Sequence, residues 1–205
     1  MQKILLVSMF QNVAGMLEKV EPNLKNKRIT YIPTASIVEN TDSFPEMEKQ
    51  ELKKLGLIVD ELEISASSYE TIQSTLKKND FIFISGGNTF FLLQELKRTG
   101  TDQLLKEEVN SGKLYIGESA GAIVASPDIG YSAEMDQPEK APDLKENTGL
   151  GLVDFYTVPH DKNPEMGEAA KKIVAMYSES LNLKVIHDYQ AILVQDGEIR
   201  ILESV

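Results

Sequence analysis

Residues 117–121 of the chain read Gly-Glu-Ser-Ala-Gly. In a G-x-S-x-G pattern the serine sits on a sharp strand-to-helix turn, and the turn leaves no room for side chains two residues before and after it. The apolar run Leu114–Ile116 precedes Ser119, and small residues from Ala120 to Ser126 can form a closely packed helix behind it. The helix start then aims free backbone N–H groups at the serine, with the N–H of Ala120 as an oxyanion donor. The chemistry this suits is attack of a serine on a carbonyl, which requires a base. The chain has two histidines, His160 and His187. His160 follows "LVDFYTVP" and belongs at the carboxyl end of a strand, the edge where α/β sheets bind ligands. His187 lies within or just after the short run "KVI". His160 is therefore the expected base. A carboxylate must hold the imidazole tautomer. The candidates are Asp188, which also follows an apolar run, Asp154 inside one, and Glu134 and Asp136 in a polar segment.

A second stretch, "FIFISGGNTFFLL" at 81–93, ends an apolar run on Gly86-Gly87-Asn88. Paired glycines let the backbone approach a ligand, and the N–H of Gly87 is the expected second oxyanion donor. Asn88 is placed to cap the following helix or to touch substrate. The spacing fits neither G-x-G-x-x-G nor a P-loop, so a phosphate cradle is not expected.

Elements of a regular kind must hold these residues. The runs "KILLVSM", "RITYIPTA", "LIVDELEI", "FIFISGG" and "LYIGES" are nearly continuous in apolar residues, as strands covered on both faces are. Helical patterns lie between them, and Gly56, Gly100 and Gly112 fall where helices should stop. This alternation predicts an α/β fold, a doubly wound and mostly parallel sheet. Residues 128–151 are polar and rich in Pro, Gly and acid, and read as a long loop over the sheet. A further strand "LVDFYTVPH", a helix starting near Pro164, and the runs "KVIHD", "AILVQDG" and "EIRILES" complete the chain, with "QDGE" as a hairpin turn. One domain spanning 1–205 is expected.

Composition narrows the function. The 205 residues include no Cys, which removes disulfides, thiolate metal sites and a cysteine nucleophile. The formal net charge of −11 disfavours nucleic acid and anionic lipid as partners. The start "MQKILLVSMF" reads as the first buried strand rather than a signal peptide, and no segment approaches a membrane span, so a cytoplasmic protein is expected.

Taken together, "FISGGNTFFLL", "LYIGESAGA" and "VPH" resemble the dipeptidase E (aspartyl dipeptidase) family of serine peptidases, with cyanophycinase as a more distant relative. The resemblance runs in order from the first strand to "AILVQDG". It implies a three-layer sandwich like that of class I glutamine amidotransferases, and a triad in the chain order Ser, His, acid. By position, Ser119 matches the nucleophile, His160 the base, and Gly87 and Ala120 the oxyanion donors. The acid falls on Asp188 when the following strand is registered on "AILVQDG", and on Glu134 in an ungapped reading after the nucleophile; Asp188 is preferred. Asn88 and Glu134 are then expected substrate contacts, with no metal or cofactor. Aspartyl dipeptidases grip the substrate Asp through an Arg in the helix after the catalytic His. Here the three Arg are at 28, 98 and 200, and that segment offers Lys162, Lys171 and Lys172 instead. Arg and Lys are not equivalent at a bidentate carboxylate site, so strict selection of N-terminal Asp is not expected. The expectation is a serine exopeptidase for dipeptides or short peptides. The alternatives are an esterase or amidase with the same triad, or a ligand-binding protein on the same fold.

Overall fold

The computed structural model describes residues 2–39 and 43–204. Its strands are β1 (Lys3–Val7), β2 (Arg28–Ile32), β3 (Ile58–Glu61), β4 (Phe81–Ile84), β5 (Leu114–Glu118), β6 (Tyr156–Asp161), β7 (Leu183–His187), β8 (Gln190–Gln195) and β9 (Glu198–Glu203). The helices are α1 (Phe10–Val13), α2 (Met16–Val20), α3 (Ser43–Lys54), α4 (Tyr69–Lys78), α5 (Thr89–Thr99), α6 (Thr101–Asn110), α7 (Ala120–Ile123) and α8 (Gly167–Tyr177). Seven strands form one sheet in the order β3-β2-β4-β5-β1-β8-β9. The first five in chain order run parallel, and β8 and β9 are added antiparallel. This is the doubly wound, mostly parallel α/β sandwich that the sequence predicts.

The near-continuous apolar strands are explained by helices on both faces. In β1, Ile4 and Leu6 join the core shared with α4, α5, α6 and α8, while Leu5 and Val7 join the core shared with α1, α2 and α3. All four side chains are fully buried, each contributing on the order of 1.5–3 kcal/mol relative to exposure. Among the described residues no helix is long and apolar enough to cross a membrane.

Three details differ from the sequence reading. The run "LVDFYTVPH" becomes strand only from Tyr156, and β6 pairs with β7 in a separate two-stranded parallel sheet. The last long helix begins at Gly167 rather than near Pro164, because Asn163 closes the turn ahead of it by accepting the N–H groups of Glu165 and Met166. As the glycine there predicts, the helical run after Asn88 stops at Gly100, whose φ of +72° ends α5 and starts α6. The segment 128–151 is not structureless: it holds 3₁₀ turns at Gly130–Glu134 and Pro138–Lys140 and a bridge between Asp128 and Thr148. The "QDGE" hairpin forms with Gln195 opposite Glu198 and positive φ at Asp196 and Gly197, the geometry that a right-twisted two-residue turn requires.

The register brings the carboxyl ends of the central strands level, with Val7 beside Glu118 and Ile84 beside Gly117. Beyond that edge α7 folds back onto β4 and β5 at very short range. A Cβ on Gly117 would stand 2.3 Å from the Gly121 carbonyl oxygen, and a Cβ on Gly121 would stand 2.3 Å from that of Ile84. Gly121→Ala should therefore lower the unfolding free energy by about 2 kcal/mol or more, since backbone rather than a flexible side chain must yield. Gly15→Ala is the control: its φ of −63° is helical and nothing lies within 4 Å of a Cβ there, so a gain of roughly 0.4–1 kcal/mol is expected. Urea unfolding of the two variants beside the parent checks both signs.

Candidate active site

Ser119 occupies the turn between β5 and α7 with φ 47° and ψ −105°. A non-glycine residue there carries strain of about 1–3 kcal/mol and persists only where its surroundings hold it. The surroundings do so from both sides. The Ser119 N–H donates to the Val7 carbonyl at 3.0 Å, and the Ser119 carbonyl accepts from Ala122 and Ile123 at 2.9 Å each. The Tyr115 hydroxyl donates to the Gly121 carbonyl at 2.7 Å and pins the start of α7 to the strand below.

His160 comes from a different element. The pairing of β6 with β7 slips between Val158 and Asp161, and His160 has a φ of +65°. A bulge of this kind re-aims a side chain out of the strand's normal alternation. The buried imidazole meets Ser119 with Nε2 2.8 Å from Oγ. Its Nδ1 lies 3.0 Å from Asp188 Oδ1, at the turn after β7. With an ionised carboxylate on that side, the proton belongs on Nδ1, and the Nε2 lone pair faces the serine hydroxyl.

Two residues that the sequence reading did not single out complete this arrangement. Ser8, the residue after β1, donates its hydroxyl to Asp188 Oδ1 at 2.6 Å and accepts the His160 backbone N–H at 2.8 Å; its Oγ is also 3.1 Å from Nδ1. Asn163 donates Nδ2–H to Asp188 Oδ2 at 2.6 Å. Burial opposes the charge on Asp188, but the hydrogen bonds from His160, Ser8 and Asn163 outweigh it and hold the carboxyl down at about 2. An Asn before a Pro is a helix-start signal and could have drawn attention to Asn163. A lone serine after "KILLV" carries no comparable signal.

Ser119 opens on a cavity of about 480 Å³. Gly87 lines it with φ +135°, and a Cβ there would fall 2.2 Å from the Ala35 carbonyl oxygen, so only glycine fits. Among the described residues neither Gly87 N–H nor Ala120 N–H donates to a protein acceptor, which leaves both for a ligand oxygen. Several acids also line the cavity. Asp136 lines the cavity and takes both the N–H and the hydroxyl of Thr89 on Oδ2, at 3.1 and 2.5 Å; burial raises its carboxyl to about 6 against those bonds. Glu118 and Glu48 also line it. Burial, then the charge of Glu48, pushes the Glu118 carboxyl well above the usual range. Lys140 is the lysine in the wall, and Glu39 binds it at 2.8 Å.

The structure thus brings Ser119, His160 and Asp188 together, with Gly87 and Ala120 beside them. The other candidates lie elsewhere. Asn88 is 1% exposed. It caps α5 by accepting the Phe91 N–H at 2.9 Å, and it donates to the Gln137 carbonyl at 3.1 Å, holding the cavity's edge rather than facing into it. Glu134 is 3.6 Å from Lys172 and is not part of the cavity wall. His187 accepts the Tyr189 N–H and faces Glu203, and Asp154 is exposed ahead of β6. Lys162, Lys171 and Lys172 do not line the cavity. Among the described residues no group of three His, Asp or Glu could hold a metal ion.

Comparison with known proteins gives the family of the chain. The model of peptidase family S51 matches residues 4–202. An uncharacterized peptidase of Listeria innocua is 50% identical over 199 residues, covering 97% of this chain and 95% of that protein. Peptidase E of a Nostoc species is 32% identical over 137 residues, 67% of this chain and 53% of that protein. A 1.5 Å crystal structure from Listeria monocytogenes EGD-e, of a protein provisionally named peptidase E, is 45% identical and has a TM-score of 0.95, covering 99% of this chain and 98% of that one. A match over nearly the whole length, in sequence and in fold, places this chain as a serine-type peptidase of family S51.

Proposed function

We propose that the chain is a serine exopeptidase that hydrolyses dipeptides or short peptides through an acyl-enzyme, with Ser119, His160 and Asp188 as its triad. The observation that carries this reading is the continuous line from Ser119 Oγ to His160 Nε2 at 2.8 Å and from Nδ1 to Asp188 at 3.0 Å, opening on one cavity. In the first half-reaction Ser119 Oγ bonds to the peptide carbonyl carbon while Nε2 takes the hydroxyl proton. The oxygen of that carbonyl gains the negative charge and is held by the N–H groups of Gly87 and Ala120. When the C–N bond breaks, Nε2 returns the proton to the leaving amine. In the second half-reaction water gives a proton to Nε2, attacks the ester, and releases the acid with the proton restored to Oγ. Asp188 stays ionised and balances the imidazolium. A cavity of about 480 Å³ suits a ligand of a few residues rather than a folded chain.

Turnover of a dipeptide panel is the direct test. Ser119→Ala should lose on the order of a million-fold in kcat with little change in melting temperature, since the swap removes one atom at an open site. His160→Ala should be nearly inactive and His187→Ala nearly normal; the reverse order would dismantle the assignment.

The hydrogen bonds on Asp188 generate a stability prediction. Its folded pKa of about 2 lies below its ordinary 3.8, so between those values the unfolded chain binds more protons and stability rises with pH. The contribution is complete above roughly pH 5 and is lost as pH falls toward 2. The unfolding free energy of the parent minus that of Asp188→Asn, measured from pH 2 to 7, should shrink over that acid limb and be flat above it.

The cavity wall also bears on selectivity. With Lys140 held by Glu39 and Lys162, Lys171 and Lys172 outside the wall, no unpaired cation among the described residues lines the cavity to attract a substrate carboxylate. The kcat/KM for Asp-Leu should exceed that for Ala-Leu by no more than about tenfold, or roughly 1.4 kcal/mol of barrier; a thousandfold preference would overturn this account of the pocket.

A further inference from the structure

One arm of the cavity is not used by the proposed chemistry. Strand alternation turns Glu118 to the same side of the sheet as Ile116 and Leu114, toward α1, α2 and α3. There it meets Glu48 of α3, which is 1% exposed and accepts the hydroxyls of Tyr31 and, at 2.6 Å, Ser85. Phe44, one helical turn before Glu48, and Met9, next to Ser8, line the same cavity. Glu118 is itself 5% exposed, yet among the described residues no donor faces its Oε2. A buried acceptor without a donor is rare and calls for a partner. Burial and the neighbouring charge of Glu48 both push the Glu118 carboxyl upward, toward its neutral form.

An apolar wall leading to a pair of buried carboxyls fits a side chain with an alkyl stem and a cationic head. An entering cation supplies N–H donors to the carboxyl oxygens and offsets one negative charge of the pair. A bare α-ammonium would use the acids but not the stem-lined walls. Resting on the peptidase reading above, we infer that the Glu48–Glu118 arm is the side-chain pocket for the acyl residue, and that the enzyme's substrates are short peptides whose acyl residue is lysine or arginine. The absence of an Arg in the helix after His160 accords with a pocket of the opposite charge from one that grips Asp.

The test compares Lys-Leu and Arg-Leu with Met-Leu, the latter matching the stem without the charge. The kcat/KM for the basic peptides should be about 10–100-fold higher, the range of a hydrogen bond to a charged group. Glu48→Gln and Glu118→Gln should each remove most of that ratio, chiefly through KM. Two variants guard against one that fails to fold. If both lower Lys-Leu and Met-Leu equally, and N-acetylation of Met-Leu has the same effect, the acids read the α-amino group and the inference is overturned. Calorimetric binding of Lys-Leu and Met-Leu to Ser119→Ala separates this pocket from the chemistry. Tighter Lys-Leu binding there supports it even if the parent hydrolyses no peptide. Equal binding overturns it even if the parent cleaves neutral dipeptides readily.

Discussion

The site depends on how closely α7 approaches β4 and β5. With glycine at 117 and 121 the backbones meet at distances that no Cβ would permit. That contact leaves Ser119 to turn the chain with φ 47° and ψ −105°. The strain at one residue is offset by the ordered strand and helix on either side, which supply its backbone partners. The same geometry leaves the Ala120 N–H, next to Ser119, without a protein acceptor among the described residues. Gly87 does the equivalent in the turn after β4, pressed against the Ala35 carbonyl with a φ that other residues rarely adopt. The proposed nucleophile and both proposed oxyanion donors therefore follow from backbone packing, and side chains are largely absent where the packing is tightest.

Three carboxyl groups around the cavity are driven apart in proton affinity by their partners. Asp188 collects donors from His160, Ser8 and Asn163 and is held at about 2. Asp136 is buried with donors on one oxygen and is raised to about 6. Glu118 is buried against another carboxyl and is raised well above the usual carboxylate range. Burial acts upward on all three, and the supply of donors decides the outcome. A permanently ionised acid beside an imidazole suits orientation and charge balance. A buried acid beside a second carboxyl suits a place where a cation can bind.

Residues holding these groups come from distant parts of the chain. Ser8 follows β1, Ser119 follows β5, His160 sits in a bulge of β6, and Asp188 follows β7. The small β6–β7 sheet carries both His160 and Asp188 outside the main sheet. Their mutual geometry is thus set within one pair of strands, then docked onto the main sheet through Ser8, which bonds to both. Asn163 ties the same carboxylate to the turn that starts α8. The family relationship covers this whole arrangement, since the match extends from residue 4 to residue 202.

Local patterns were enough to specify much of this. Continuous apolar runs separated by helical periods determine a covered parallel sheet, because only strands buried on both faces can lack polar alternation. The glycine spacing around Ser119 and the "SGGN" turn are likewise local, as steric demands at one turn are met by residues beside it. With two histidines in the chain, the choice of partner for Ser119 was narrow from the start. Tertiary structure decided what depends on distant residues converging. It set the length of β6, whose bulge aims His160, and it placed Asn88 as a cap and Glu134 beside Lys172. It also drew Ser8, Asn163 and Glu48 to the cavity region. A serine after a strand, an asparagine before a proline and a glutamate in an amphipathic helix are ordinary in their own neighbourhoods. Their significance comes from hydrogen bonds and shared burial across 152, 25 and 70 positions of chain to His160, Asp188 and Glu118, and no local propensity encodes such a meeting.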